Sequence, residues 1–237
     1  MDRKTRGENR EKDMVKLAHF VFNHFGTNAY VLYEERGGAL IVDPCCTTEQ
    51  ERQRLTDFVA KEGLSPEAVV LTHAHPDHMG AVAFVKEHYN IPLALHSADA
   101  ALLAVAPAYG ASMGFNLQAV EAEIDLAEQT TLRFGGSTAE VIHTPGHSKG
   151  GVCLYVAEEG ILLSGDTLFA GSIGRSDLPG GDYDELMRSI VEKLLPLGGG
   201  VNVFPGHGGS TTIGQEIGTN PFIGEVLDGG FNKDTTL

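Results

Sequence analysis

Four short apolar runs in this chain each stop at a turn that carries histidine or aspartate. Residues 68–72 run into His73-Ala-His-Pro-Asp-His78, and residues 138–142 lead towards Thr144-Pro-Gly-His147. Residues 160–164 run into Gly165-Asp166, and residues 201–204 into Pro205-Gly-His207. A strand end is a rigid mount for a turn, so several such turns at one sheet edge can converge on a point.

The rest of the sequence supplies the elements this requires. Strand-like runs cover residues 15–25, 28–33 and 38–43, the last two forming a hairpin around Glu34-Glu-Arg-Gly-Gly. Residues 49–62 read as an amphipathic helix closed by Gly63, and helices are expected over 81–88, 98–106 and 183–195. Further strands are expected over 91–95, 131–134 and 151–156, whereas residues 110–119 show no clean period. Strands alternate with helices, but many come in hairpin-like pairs, which favours a layered α/β or α+β body with mixed sheets. At 237 residues the chain can build one large core or two small domains at most. We expect a disordered polar leader over residues 1–13 and a single domain over 14–237, with residues 213–237 as a closing loop or short helix.

Seven clustered donors, His73, His75, Asp77, His78, His147, Asp166 and His207, suit two divalent metal ions with one shared carboxylate. Imidazole and carboxylate without thiolate point to zinc first, with iron or manganese also suited. His73 and His75 stand two apart, so extended backbone puts both on one side. Pro76 then breaks the strand and turns Asp77 and His78 towards a neighbouring ion, and Asp166 has two oxygens with which to bridge. Paired metals about 3.5–4 Å apart lower the pKa of a bound water towards about 7, so two-metal hydrolysis is the natural chemistry. His19, His24, His88 and His96 have no such company and read as core or surface residues, and His143 as a packing or supporting one.

Composition excludes several other classes. Seventeen Lys and Arg face 32 Asp and Glu, a net charge of −15, and no basic patch interrupts it. Nucleic acid and anionic membrane are therefore not expected partners. No G-x-G-x-x-G follows the first strand and no P-loop is present, so nucleotide readings lose their support. Ser148 beside His147 lacks a G-x-S-x-G elbow, which removes a serine-triad enzyme. Cys45, Cys46 and Cys153 have neither disulfide nor thiolate-zinc spacing. No secretory signal or stretch of 18 apolar residues is found, and a cytoplasmic protein is expected.

With Thr72-His-Ala-His-Pro-Asp-His-Met-Gly-Ala, Thr144-Pro-Gly-His-Ser-Lys-Gly, Ser164-Gly-Asp-Thr-Leu-Phe and Phe204-Pro-Gly-His-Gly in this order, the chain resembles the metallo-β-lactamase-fold hydrolases from about residue 27 to 207. The resemblance implies an αββα sandwich: two mixed sheets face to face, helices outside, and a metal site at one sheet edge. It implies that His73, His75 and His147 hold the first metal, that Asp77, His78 and His207 hold the second, and that Asp166 bridges. Asp43 matches the family's structural aspartate near the site. True β-lactamases usually carry cysteine where Asp166 stands, which favours the glyoxalase II-like (hydroxyacylglutathione hydrolase-like) branch, in a short form without its C-terminal helical domain.

That branch implies a small-molecule thioester substrate such as S-lactoylglutathione, attacked by metal-held hydroxide that Asp77 orients. The lysine and tyrosine of the larger enzymes correspond to about Arg175 and Asp177; Arg175 is suited to hold a substrate carboxylate or the thioester oxygen. The segment after Asp166 also resembles persulfide dioxygenases of this fold, in which His73, His147 and Asp166 would hold a single iron. A non-enzymatic metal-binding module is the reading from a different class.

Overall fold

The computed structural model describes residues 14–127 and 131–229; the leader expected over 1–13 and the end of the tail lie outside the described residues. The first sheet comprises β1 (Val15–Phe22), β2 (Thr27–Glu34), β3 (Gly38–Val42), β4 (Ser65–Val70), β5 (Leu93–Leu95) and β6 (Ile124–Asp125), in that order. Its first three strands are antiparallel, and from β3 onward the neighbours are parallel. The second contains β7 (Thr131–Phe134), β8 (Ser137–His143), β9 (Val152–Val156) and β10 (Ile161–Gly165). After a small hairpin of β11 (Leu168–Phe169) and β12 (Ser172–Ile173), it is completed by β13 (Asn202–Pro205) and β14 (Thr211–Thr212). Its order is β14-β13-β10-β9-β8-β7, with β10 and β13 parallel.

The period-two alternation of the strands sorts their side chains between layers. Leu40 and Val42 of β3 join Leu32, Val70, Phe134, Leu154 and Leu163 in a core between the sheets. Their neighbours Ala39 and Ile41 pack instead with Leu55 of α1 (Glu49–Lys61), Val85 of α2 (Val82–Tyr89) and Leu103 of α3 (Ala100–Ser112). On the other side, Cys153 and Leu162 meet Leu186 of α4 (Tyr183–Ser189), Ile213 of α5 (Ile213–Thr219) and Ile223 of α6 (Pro221–Gly229). The result is the αββα sandwich with mixed sheets. Among the described residues no helix is long and apolar enough to cross a membrane.

Several boundaries differ from the sequence reading. The helix expected over 98–106 continues through Pro107 to Ser112. Packing holds the added turn: Gly110 lies so close to Pro76 and Leu117 that a Cβ there would come within 3.1 and 3.0 Å of their side chains. The strand expected over 68–72 occupies Ser65–Val70, so His73 and His75 sit on the turn rather than on the strand itself. The helix expected over 183–195 is α4 followed by a π-turn, Ile190–Leu194. The described part of the tail forms two short helices, α5 and α6.

Candidate metal centre

All seven expected donors meet at one edge of the sandwich, where β4, β10 and β13 end and the β8–β9 connection turns. Pro76 opens a single 3-10 turn, Pro76–His78, where its fixed φ and missing N–H cost nothing. The turn separates His73 and His75 from Asp77 and His78. His207 is drawn in from the second sheet by β2 of the first: Asn28 N–H donates to the Gly206 carbonyl at 2.7 Å, and Thr27 bridges to His207. The Tyr30 hydroxyl and the Asn28 amide both donate to the Pro205 carbonyl.

The donor atoms form three overlapping groups: His73–His75–His147, Asp77–His78–His207 and His73–His78–Asp166, each with its atoms within 4.8 Å of one another. His75 Nδ1 lies 2.8 Å from His147 Nε2, which is 3.2 Å from His73 Nε2. His147 donates its Nδ1–H to the Arg175 carbonyl at 2.7 Å, and His73 Nδ1 lies 3.1 Å from the Thr72 hydroxyl, which itself donates to Asp43. The protons of these two rings are thereby committed away from the site, and the Nε2 lone pairs face inward. On the other side, His78 Nδ1 donates to Asp43 Oδ2 at 3.0 Å, while His78 Nε2 and Asp166 Oδ1 are buried without a hydrogen-bond partner. An imidazole nitrogen and a carboxylate oxygen buried 3.4 Å apart are costly to keep unless positive charge, a proton or a metal ion, lies between them. Ligand bonds of about 2 Å fit donors so spaced, so the residues suit divalent metal ions.

The electrostatics ask for the same thing. Burial pushes the His73 imidazole well below its usual range, and the neighbouring His78, His75 and His147 push it further. Burial and His147 likewise lower His75 to about 3, so both rings are held neutral, as ligands must be. Burial alone would lower His78, but Asp166, Asp77 and Asp43 outweigh it and raise the ring well above its usual value. For Asp77 and Asp166 burial raises the pKa, but His78 and the other histidines outweigh it, so both stay ionised.

A second layer of residues sets these positions. Asp43 follows β3 directly with φ +48°, an uncommon left-handed conformation for a residue with a side chain. Its carboxylate accepts from Thr72 N–H at 2.8 Å, the Thr72 hydroxyl at 2.7 Å and His78, which supports the structural role expected of it. Asp99 belongs to none of the sequence motifs. Buried at 2% exposure, it accepts from Ala74 N–H, the Ser148 hydroxyl and Gly150 N–H at 3.0, 2.9 and 2.7 Å. It ties the turn of His73 and His75 to that of His147, and its partner Ser148 is a bracing group. Nothing local marks Asp99, whose partners lie 25, 49 and 51 positions away.

The other histidines stand outside the cluster. His143 donates its Nε2–H to the Lys149 carbonyl, 2.9 Å away, and stacks on His96 with ring centroids 4.0 Å apart. His19 stacks on Tyr30, His24 on Phe115 and His88 on Phe84. Cys45, Cys46 and Cys153 are buried free thiols; burial pushes Cys46 up to about 12 and Cys153 to about 11.

A cavity of about 330 Å³ opens onto His75, Asp77, His147, Asp166 and His207. Arg175 lines it, but its guanidinium is held by Asp177 through two 2.8 Å hydrogen bonds, and both side chains are exposed.

Residues 23–207 match the family described as the metallo-beta-lactamase superfamily. The hydroxyacylglutathione hydrolase GloC of Haemophilus influenzae is 34% identical over 204 residues, 84% of this chain and 93% of that one. The BLEG-1 B3 metallo-beta-lactamase superimposes with TM-score 0.81 at 42% identity, covering 88% of this chain and 99% of that one. TTHA1623, in a di-iron-bound form, gives 0.77 at 37% identity, covering 86% and 99%. The converging donors, the sandwich that carries them and these likenesses agree: the chain belongs to the metallo-beta-lactamase superfamily.

Proposed function

We propose that this protein is a binuclear metal-dependent hydrolase that cleaves a small-molecule thioester. The carrying observation is the double set of buried donors at the floor of a cavity large enough for an acyl group. His73, His75 and His147 would hold one ion, Asp77, His78 and His207 the other, and Asp166 both. Zinc is the first choice, and the di-iron form of TTHA1623 keeps iron in view. Divalent ions bound there supply the acidified water and the electrophile that carbonyl hydrolysis at neutral pH requires.

The chain's own residues do the remaining work. Asp77 stays ionised beside His207 Nε2, 3.1 Å away, and lines the cavity, so it accepts a hydrogen bond from the attacking water and orients it. The water oxygen bonds to the carbonyl carbon, the carbon–sulfur bond breaks with its electron pair on sulfur, and the released proton goes to thiolate or solvent. A thiolate leaves readily, so no strong general acid is needed. The name of GloC supports the thioester, whereas that of BLEG-1 points to a cyclic amide opened by the same carbonyl chemistry.

A second reading is a mononuclear iron dioxygenase acting on persulfides. Its set is assembled too: His147 Nε2 is 3.2 Å from His73 Nε2 and 3.5 Å from Asp166 Oδ2. It leaves His75, Asp77, His78 and His207 without a metal, which is why we prefer two ions. Metal analysis of protein purified without added metal, followed by thioester, β-lactam and persulfide assays on that sample, separates the readings. We expect about two ions per chain and thioester turnover. One iron with oxygen uptake on a persulfide, and no thioester turnover, overturns the proposal.

A further inference from the structure

The metal donors form only the floor of the 330 Å³ cavity, and its walls have a different chemistry. One wall is Phe25 from the β1–β2 turn with Tyr109 and Met113 from the end of α3. Another part of the wall is Phe169, Ile173 and Leu178, around and beyond the β11–β12 hairpin. Phe25 and Tyr109 are 45% and 36% exposed, which is much apolar ring surface to leave in water. The Phe25 ring is fixed there, 5.3 Å from Phe115 and 4.7 Å from His24.

Above the floor, which holds Asp77 and Asp166, charge is scarce. Arg175 is the one Lys or Arg among the described residues that line the cavity, and Asp177 offsets its charge. An exposed pair of this kind is weak and opens readily, but the sum at the rim stays near zero whichever way the guanidinium turns. Lys149 stands behind the 178–181 loop, its Cγ 3.7 Å from where a Cβ on Gly180 would be, and does not line the cavity. The volume is at the low end of the roughly 300–1,000 Å³ common for ligand sites. A thioester carbonyl at the floor therefore has room for its acyl group between the walls, while a bulky peptide thiol would lie across the rim.

Resting on the thioesterase reading, we propose that the cavity selects thioesters of an apolar acyl group, aliphatic or aryl, and gains little from carboxylates on the thiol. Substrate choice would then lie in the acyl chain rather than in glutathione. The walls favour a methylene by transfer from water, which multiplies kcat/KM by about fourfold for each one that fits.

The test crosses two thiols, glutathione and neutral N-acetylcysteamine, with lactoyl, butanoyl and phenylacetyl groups, using metal-replete enzyme. We expect kcat/KM for butanoyl and phenylacetyl to exceed lactoyl at least tenfold on both thiols. Replacing glutathione by N-acetylcysteamine should change it less than threefold. Tyr109→Ser and Met113→Ser should each reduce the butanoyl-to-lactoyl ratio at least threefold. Lactoylglutathione as the best substrate, with N-acetylcysteamine esters at least tenfold worse, overturns this inference and leaves the thioesterase reading standing. Failure to turn over any of the six esters, in a sample that carries its metal, overturns both.

Discussion

Gly206 shows how little room the donors have. A Cβ there would lie 2.1 Å from Asp166 Oδ1 and 2.7 Å from the His78 ring, so Gly206→Ala has to displace the Asp166 carboxylate. We expect the variant to fold and to bind metal about 10–100-fold more weakly, as loss of supporting contacts usually does; competition against a chromogenic chelator measures it. Protonation gives a second prediction. His73 and His75 are held neutral in the folded protein, whereas in the unfolded chain each takes a proton near the ordinary value of 6.5. The unfolded state then binds more protons, so metal-free protein loses stability as pH falls below about 6.5, and for His75 this continues to about 3. His78 has the opposite sign, but its contribution is complete below 6.5 and fades only on the alkaline side. Thermal midpoints of chelator-stripped protein from pH 7 to 4 should fall steadily, and less steeply in His75→Gln; a flat profile would contradict the assignment. The seven donors were legible because each sits in a short motif, but Asp99 was not, since its meaning lies in three partners far along the chain.

At the scale of elements, the β11–β12 hairpin depends on the C-terminal helices. Buried Glu216 of α5 accepts from Gly171 N–H at 2.8 Å and from the Thr211 hydroxyl, and Asn220 donates to the Ser172 carbonyl at 3.0 Å. One wall of the cavity is thus fastened to the tail. Glu216→Ala removes the acceptor for these two donors and for the Asn220 amide, and we expect faster hydrogen exchange over residues 168–175, with KM raised severalfold and kcat changed less. Equal loss in KM and kcat with unaltered exchange would argue against the fastening. The long strands and helices were readable because several periods of alternation or amphipathy accumulate in each. β6, β11, β12 and β14 have two residues each and no period to read, and the last turn of α3 is held by packing on Pro76 against the preference of Pro107.

For the whole molecule, the layer order followed from strands that send alternate residues to the inner core and to the helices. The site draws four donors from the first sheet's connections and three from the second's, so metal held by all of them would join the two halves of the sandwich. An ion at a thousand times its dissociation constant adds about 4 kcal/mol to the folded state, which for a chain of this size is a rise of roughly 8–16 °C in Tm. Chelation should lower the midpoint by that amount, and re-addition of zinc or iron should restore it; an unchanged midpoint would mean that the donors hold no ion tightly.

The two sheets are also contiguous in the chain, β1 to β6 and then β7 to β14. During synthesis the first sheet is complete before any strand of the second exists. At about 5–20 residues per second, roughly 4–16 s separate residue 126 from residue 207. Over that interval Leu32, Leu40 and Val42 face a second sheet that is still incomplete, and His73, His75, Asp77 and His78 lack one or more of the other three donors. A chain made in this order has to wait for its second half before either the inner core closes or the full donor set is assembled.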